Sequence, residues 1–332
     1  MALRCALATV LCLLLLAGPA GADALLPPAG KAWHGVTGGG DLGDFVARAH
    51  AQPAVRGQWV QWGESHEYAF RRAGGDGARV MLHISTARGQ GMAGRISPGR
   101  IAGGDGDDYL LALNRRLDAH DGPAYLRLMG EMNNCDNAYA ALDCSGSRRS
   151  ADHSARRFKQ AWRRAVLVVR GGEVRRIDAR LRSLGLPPVD TDEDALPTPR
   201  VAFVWSPMTG GSPMVPALAP GVYWPGGDYV DWVGTSFYSR FPNFHFLEPF
   251  YRRFAVAERK PFAFAEWAMW GSDDPAFARR LFAWVGTHER VRMLQYNQGE
   301  NPSGPFRLRR FPRAAAVIRR GLASPRFARG HG

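Results

Sequence analysis

Two glutamates, each closing a short apolar run, are placed to do chemistry: Glu131 in Tyr125-Leu-Arg-Leu-Met-Gly-Glu-Met-Asn133 and Glu266 in Pro261-Phe-Ala-Phe-Ala-Glu-Trp267. A carboxylate at the C-terminal tip of a buried strand suits a pocket better than a core, because an unpaired buried charge is costly. Two such groups facing one rim meet the needs of glycosidic bond cleavage. One carboxylic acid protonates the leaving oxygen and one carboxylate attacks the sugar. Arg127, four residues before Glu131, is available to neutralise one of the pair, and Asn133 to donate to a sugar hydroxyl. The competing reading is a pair of strand-end glutamates held by neighbouring arginines.

Such a pair needs a scaffold that brings distant segments to one opening. Short apolar runs at 33–37, 57–62, 79–85, 124–130, 200–206, 229–238, 261–267 and 291–297 read as eight strands. Helical patterns fall between or after them at 41–51, 107–119, 153–184, 247–259, 275–289 and 312–322. Eight alternations in a chain of this length predict an α/β fold, a single-domain (β/α)8 barrel. An open doubly wound sheet is the rival, but Gly38-Gly39-Gly40 lacks the spacing of a phosphate-binding loop. Pro- and Gly-rich stretches at 99–106, 186–199 and 208–227 read as barrel loops.

In a barrel the C-terminal strand ends line one mouth. Here they offer Trp62, His83, Trp205, Tyr238, Trp267 and Tyr296 beside the glutamates. Sugars suit such a surface, since their C–H faces stack on rings while their hydroxyls need directed polar partners. Trp205, Trp267 and Trp270 read equally well as core, and His83 as a satisfied core histidine.

Residues 1–22 read as a signal peptide, with Arg4 ahead of an apolar run and Ala20-Gly21-Ala22 as a cleavage site. The run is too short for a bilayer span of about 20 apolar residues, so a secreted protein with no membrane span is expected. Residues 23–325 form the expected catalytic domain and 326–332 a frayed tail. Of the 4 cysteines, Cys135 and Cys144 lie in the mature chain and are expected to pair after export. The net charge of +13 raises a nucleic-acid reading. Export argues against one, and arginines such as Arg156, Arg157, Arg163 and Arg164 read as a solvated helix face. Affinity for an acidic polysaccharide stays open. Asp105, Asp107 and Asp108 read as a turn capping a helix in preference to a calcium site. No metal, no cofactor and a monomeric state are expected.

The motifs Arg127-Leu-Met-Gly-Glu131-Met-Asn133, Tyr229-Val-Asp231-Trp-Val-Gly234-Thr-Ser-Phe-Tyr238 and Ala265-Glu266-Trp267 resemble glycoside hydrolase family 26, the retaining β-mannanases and related endo-glycanases of clan A. The resemblance implies Glu131 as acid/base, Glu266 as nucleophile and Tyr238 as the group orienting it, with His83 and Trp205 lining the cleft. Two departures bear on β-mannan specificity. Gly130 stands where the family carries a histidine before the acid/base, and Cys135 and Cys144 occupy a loop that commonly holds tryptophan. The function implied is a secreted retaining endo-β-glycoside hydrolase cleaving an extracellular polysaccharide by double displacement. A non-catalytic carbohydrate-binding barrel is one alternative. A hydrolase or transglycosylase acting on the organism's own exopolysaccharide is another.

Overall fold

The computed structural model describes residues 25–38, 40, 42–88 and 93–328. The expected signal peptide, residues 1–22, lies outside them. Eight strands close into a barrel: β1 (Trp33–Gly38), β2 (Val55–Gln61), β3 (Arg79–Ser85), β4 (Ala124–Leu128), β5 (Val201–Trp205), β6 (Trp232–Tyr238), β7 (Phe262–Ala268) and β8 (Val291–Gly299). Each pairs in parallel with its neighbours, and β8 closes on β1. The expected fold is therefore present, with strand ends displaced by a few residues. The largest displacement is at β6, where the residues before Trp232 form a 3-10 turn (Gly227–Tyr229) and a bend instead.

The helices depart more from expectation. The single helix expected over 153–184 is two, α5 (Ala155–Arg170) and α6 (Val174–Ser183), divided by Gly171 and Gly172 at φ 71° and 108°. A β-carbon on Gly171 would sit 1.7 Å from the Pro197 carbonyl oxygen, so only glycine fits this close approach. Two helices had no sequence signal: α2 (Glu67–Gly75), whose buried face is largely alanine, and α3 (Pro98–Gly103), inside an expected loop. Ser97 caps α3 through the Arg100 amide and Pro98 opens it, which outweighs its two glycines. The segment expected at 247–259 is α7 (Phe244–Phe250) running into a π-helical stretch, Tyr251–Val256, just after Pro249. The remaining helices are α1 (Gly43–Ala49), α4 (Asp107–Asp118), α8 (Pro275–Thr287) and α9 (Pro312–Leu322).

Two apolar shells hold this frame. Inside the barrel, Trp33, Val55, Met81, Tyr125, Val204, Trp232 and Met293 fill the end away from the glutamates. A larger shell lies between strands and helices and includes Phe158, Trp162, Phe203 and Leu281. Arg164 departs from the expected solvated face. It is fully buried and forks onto both oxygens of Asp107, while its amino groups also donate to Pro187 and Pro188 carbonyls. Asp107 is thus spent on an ion pair, and Asp105 on Arg100 at 2.7 Å. The tail is held at its start: Phe327 bridges Ala32, and Arg326 donates to Gly30, Glu289 and Val291 carbonyls. Residues 329–332 lie outside the described residues.

Candidate active site

Alternation along a strand sends every second side chain into the barrel, and Glu266 reaches the interior only because β7 breaks that rule. Thr235 and Ser236 of β6 pair with Phe264 and Glu266, while Leu294 and Tyr296 of β8 pair with Phe264 and Trp267. On both sides β7 carries one residue too many, which is a β-bulge. Bulges re-aim side chains. Here Ala265 joins the interior cluster and Glu266, next in sequence, turns inward as well.

Glu266 is 9% exposed and held by three donors. Arg127 Nη1 donates to its Oε2 at 2.6 Å. Tyr238 Oη and Asn297 Nδ2 both donate to its Oε1, the latter at 2.9 Å. Asn297 also donates to Tyr238 Oη at 2.9 Å. Burial pushes the Glu266 pKa above the ordinary carboxylate value, with Arg127 pulling it back and Glu131 adding to the rise. Burial and the nearby Glu266 charge hold the Tyr238 phenol well above its ordinary value, so it stays protonated and donates.

Arg127 organises the centre. Its Nε and Nη2 donate to Ser206 Oγ at 3.2 Å and Ser236 Oγ at 2.8 Å, and Nη2 lies 3.9 Å from Glu131 Oε1. Both glutamates therefore converge on one guanidinium. Burial alone would lower the Arg127 pKa, but Glu266 and Glu131 outweigh it and raise it. Arg127 Nη1 also faces His83 Nδ1 at 3.2 Å. Arginine only donates, so Nδ1 accepts and the ring proton sits on Nε2, donating to Thr37 Oγ1 at 3.1 Å. Burial first, then Arg127, pushes the His83 pKa well below its ordinary value, which keeps the ring neutral. A β-carbon on Gly130 would lie 2.6 Å from Arg127 Cζ. The guanidinium fills the space that a side chain at this position would need.

Glu131 sits beyond the end of β4 with φ 53°, two residues after Met129 at φ 46°. Left-handed backbone at non-glycine residues costs of order 1–3 kcal/mol and persists only where neighbours enforce it. Several do so here. The Glu131 amide donates to the Ser206 carbonyl at 2.8 Å, Asn137 Nδ2 to the Glu131 carbonyl at 2.9 Å, and Tyr139 Oη to the Gly130 carbonyl at 2.5 Å. Asn134 turns its Oδ1 to the Asp136 amide, so its Nδ2 donates to Glu131 Oε2 at 3.1 Å. The Cys135–Cys144 disulfide closes the loop. Beside it opens a cavity of about 390 Å³ lined by Asp136, Arg149 and His153, and neither glutamate lines it.

Six residues expected at the cleft are not there. Trp205, Trp267 and Tyr296 point outward from their strands into the layer beneath the helices. Trp205 packs on Trp224 and Phe254 at 4.8 and 5.0 Å, and Trp267 on Tyr296 at 5.0 Å. Trp62 lies past β2 and packs on Tyr109 at 4.3 Å. Asn133 is fully buried as a latch between loops. Its Nδ2 donates to Met208 and Leu218 carbonyls at 2.9 and 3.1 Å, and its Oδ1 accepts from the Met208 amide at 2.8 Å. His83 lies behind Arg127, away from the opening. Residues without a place in the expected site are Asn297, Asn134, Ser206 and Ser236. Counting by two along each strand would have chosen Asn297 over Tyr296 and Ser206 over Trp205. Among the described residues, the one grouping with metal-ligating atoms is Cys135, Asp136 and Cys144, whose sulfurs are bonded to each other.

No family model and no curated protein matches the sequence. Solved structures do match by shape. A family 26 β-mannanase of Bacteroides ovatus superposes with TM-score 0.57 and 15% identity over 93% of this chain and 91% of that one. A modular family 26 endo-β-1,4-mannanase of Cellulomonas fimi gives 0.61 and 15% over 94% and 76%. A family 26 protein of Muricauda gives 0.57 and 13% over 93% and 94%. At these identities the likeness is one of architecture: the chain has the (β/α)8 fold of the glycoside hydrolase family 26 mannanases.

Proposed function

We propose that the protein is a retaining β-glycoside hydrolase, exported to act on an extracellular polysaccharide. The observation that carries this reading is the convergence of Glu131 and Glu266 on the single guanidinium of Arg127 at the C-terminal mouth of the barrel. Glu266 attacks the anomeric carbon. Arg127, Tyr238 and Asn297 fix its rotamer and favour its ionised form against the cost of burial. Glu131 protonates the leaving oxygen, then deprotonates the water that releases the glycosyl-enzyme. Asn134 holds the Glu131 carboxyl in place by donating to its Oε2 at 3.1 Å. The mannanase-like fold favours a β-linked main chain cleaved internally.

Glu266→Ala is expected to abolish turnover without unfolding the protein, and a 2-fluoro glycoside is expected to label Glu266. Glu131→Ala is expected to slow polysaccharide cleavage by about 10²–10⁴ and activated aryl glycosides far less, since good leaving groups need little protonation. Gly130 in place of the family's histidine favours a second reading, a non-catalytic carbohydrate-binding barrel. Polysaccharide binding with neither labelling nor turnover would decide for it.

A further inference from the structure

The rim beside Glu266 is built from the loops after three adjacent strands. Trp270 follows β7, Arg240 and Phe241 follow β6, and Phe306 follows β8. The Trp270 ring meets Tyr238, Phe241 and Phe306 edge-on, with centroids 5.5, 5.5 and 5.2 Å apart. Its amide donates to Ser239 Oγ at 2.8 Å, so the ring is fixed from both loops. Tyr238 in turn donates to Glu266. The aromatic wall therefore starts one side chain away from the nucleophile. Phe241 at its outer end is 53% exposed, so the wall is open to solvent there.

Arg240 gives the wall a charge. Its guanidinium lies 5.1 Å from the Trp270 ring centre and 5.8 Å from that of Phe241, and among the described residues no carboxylate pairs with it. The carboxylates of the neighbouring loop are already committed. Asp273 accepts from the Arg313 and Ala314 amides at 2.9 and 2.8 Å, and Asp274 caps α8 through the Ala276 and Phe277 amides. A planar cation lying over a ring, with its donor edges free, suits bidentate capture of a carboxylate.

We infer that Arg240, Phe241, Trp270 and Phe306 form a subsite for a carboxylated sugar unit next to the one attacked by Glu266. The substrate is then an acidic β-glycan. This rests on the hydrolase reading for its orientation along the chain, but not for binding itself. The rings take the apolar face of the sugar and Arg240 takes its C6 carboxylate. A net charge of +13 adds long-range attraction for such a polymer.

The test compares linear β-1,4-mannan with the same polymer oxidised at C6 to the uronic acid. Affinity is read by gel retardation of the intact protein, and cleavage separately by reducing ends. The oxidised polymer is expected to bind about tenfold more tightly, the equivalent of about 1.4 kcal/mol. Arg240→Gln should remove that preference and Arg240→Lys restore part of it. Arg320→Gln, in the last turn of α9 on the opposite face, should leave it in place. Equal affinity for both polymers, no binding of either, or a preference that survives Arg240→Gln or falls equally with Arg320→Gln would overturn the subsite. Selective binding without cleavage of either polymer would support the subsite while removing the hydrolase.

Discussion

At the scale of single residues, Arg127 sets the charge state of the centre. In the proposed mechanism Glu266 must be ionised to attack; burial works against that, and Arg127 works for it. Arg127→Lys keeps a positive charge but cannot reach Ser206, Ser236 and both carboxylates from one planar group. The Glu266 pKa should therefore rise further. Activity is then lost at a higher pH on the acidic side, so the lower limb of the kcat/KM profile on an aryl glycoside moves upward. An unmoved limb would remove Arg127 from this role. Gly130→His tests the same balance from the neighbouring position. Its β-carbon would drive the guanidinium aside, so we expect the same upward movement of the limb and a loss of about 1–3 kcal/mol from overpacking. Mannanase activity would not be gained by adding the histidine alone. The two glutamates and Arg127 were legible in the sequence because a charge inside an apolar run is conspicuous. Asn297, Ser206 and Ser236 were not, since their role depends on the strand face, and the Glu266 bulge disturbs the count that would reveal it.

At the scale of elements, the loops after β4 and β5 behave as one unit around Asn133. Asn133→Ala would leave two carbonyls and the Met208 amide without partners. A buried polar group left unsatisfied costs about 1–3 kcal/mol, so a clear fall in the denaturant midpoint is expected. Loss of affinity for polysaccharide at an unchanged midpoint would instead return Asn133 to the sugar. The disulfide belongs to the same unit. Cys135→Ser with Cys144→Ser should lower stability by about 2–3 kcal/mol through the freedom restored to a short unfolded loop. The barrel strands were readable as continuous apolar runs, because a parallel sheet is covered on both faces. Helices α2 and α3 were not, since small residues and glycines give no apolar stripe and their stability comes from packing and caps. The apolar pattern also ran through Gly171 and Gly172, where backbone conformation, invisible to periodicity, splits α5 from α6.

Across the whole molecule, the two barrel ends divide the work. The C-terminal mouth carries the glutamates, the bulge and the strained backbone at Glu131, while the other end holds the large apolar filling and the start of the seam that closes the ring. That closure joins β1 to β8, and the last described residues brace it. The Ala32 amide donates to the Arg326 carbonyl at 2.8 Å and the Ala328 amide to the Ala32 carbonyl at 3.0 Å. Arg326 also spans Gly30 and Val291, which lie before β1 and at the start of β8. The closing strands are far apart in sequence, so their pairing bears a loop-closure cost, slowly growing with separation, that such braces help to offset. A protein ending at Ser324 should therefore unfold at a lower denaturant concentration. Arg326→Ala alone should account for about 0.5–1.5 kcal/mol of the loss, since water can reach the carbonyls it leaves. Because these residues are remote from Arg127, their effect on stability should add to that of Arg127→Lys. A double variant whose loss departs from the sum by more than about 0.5 kcal/mol would show that closure of the far end is coupled to the charge centre at the mouth.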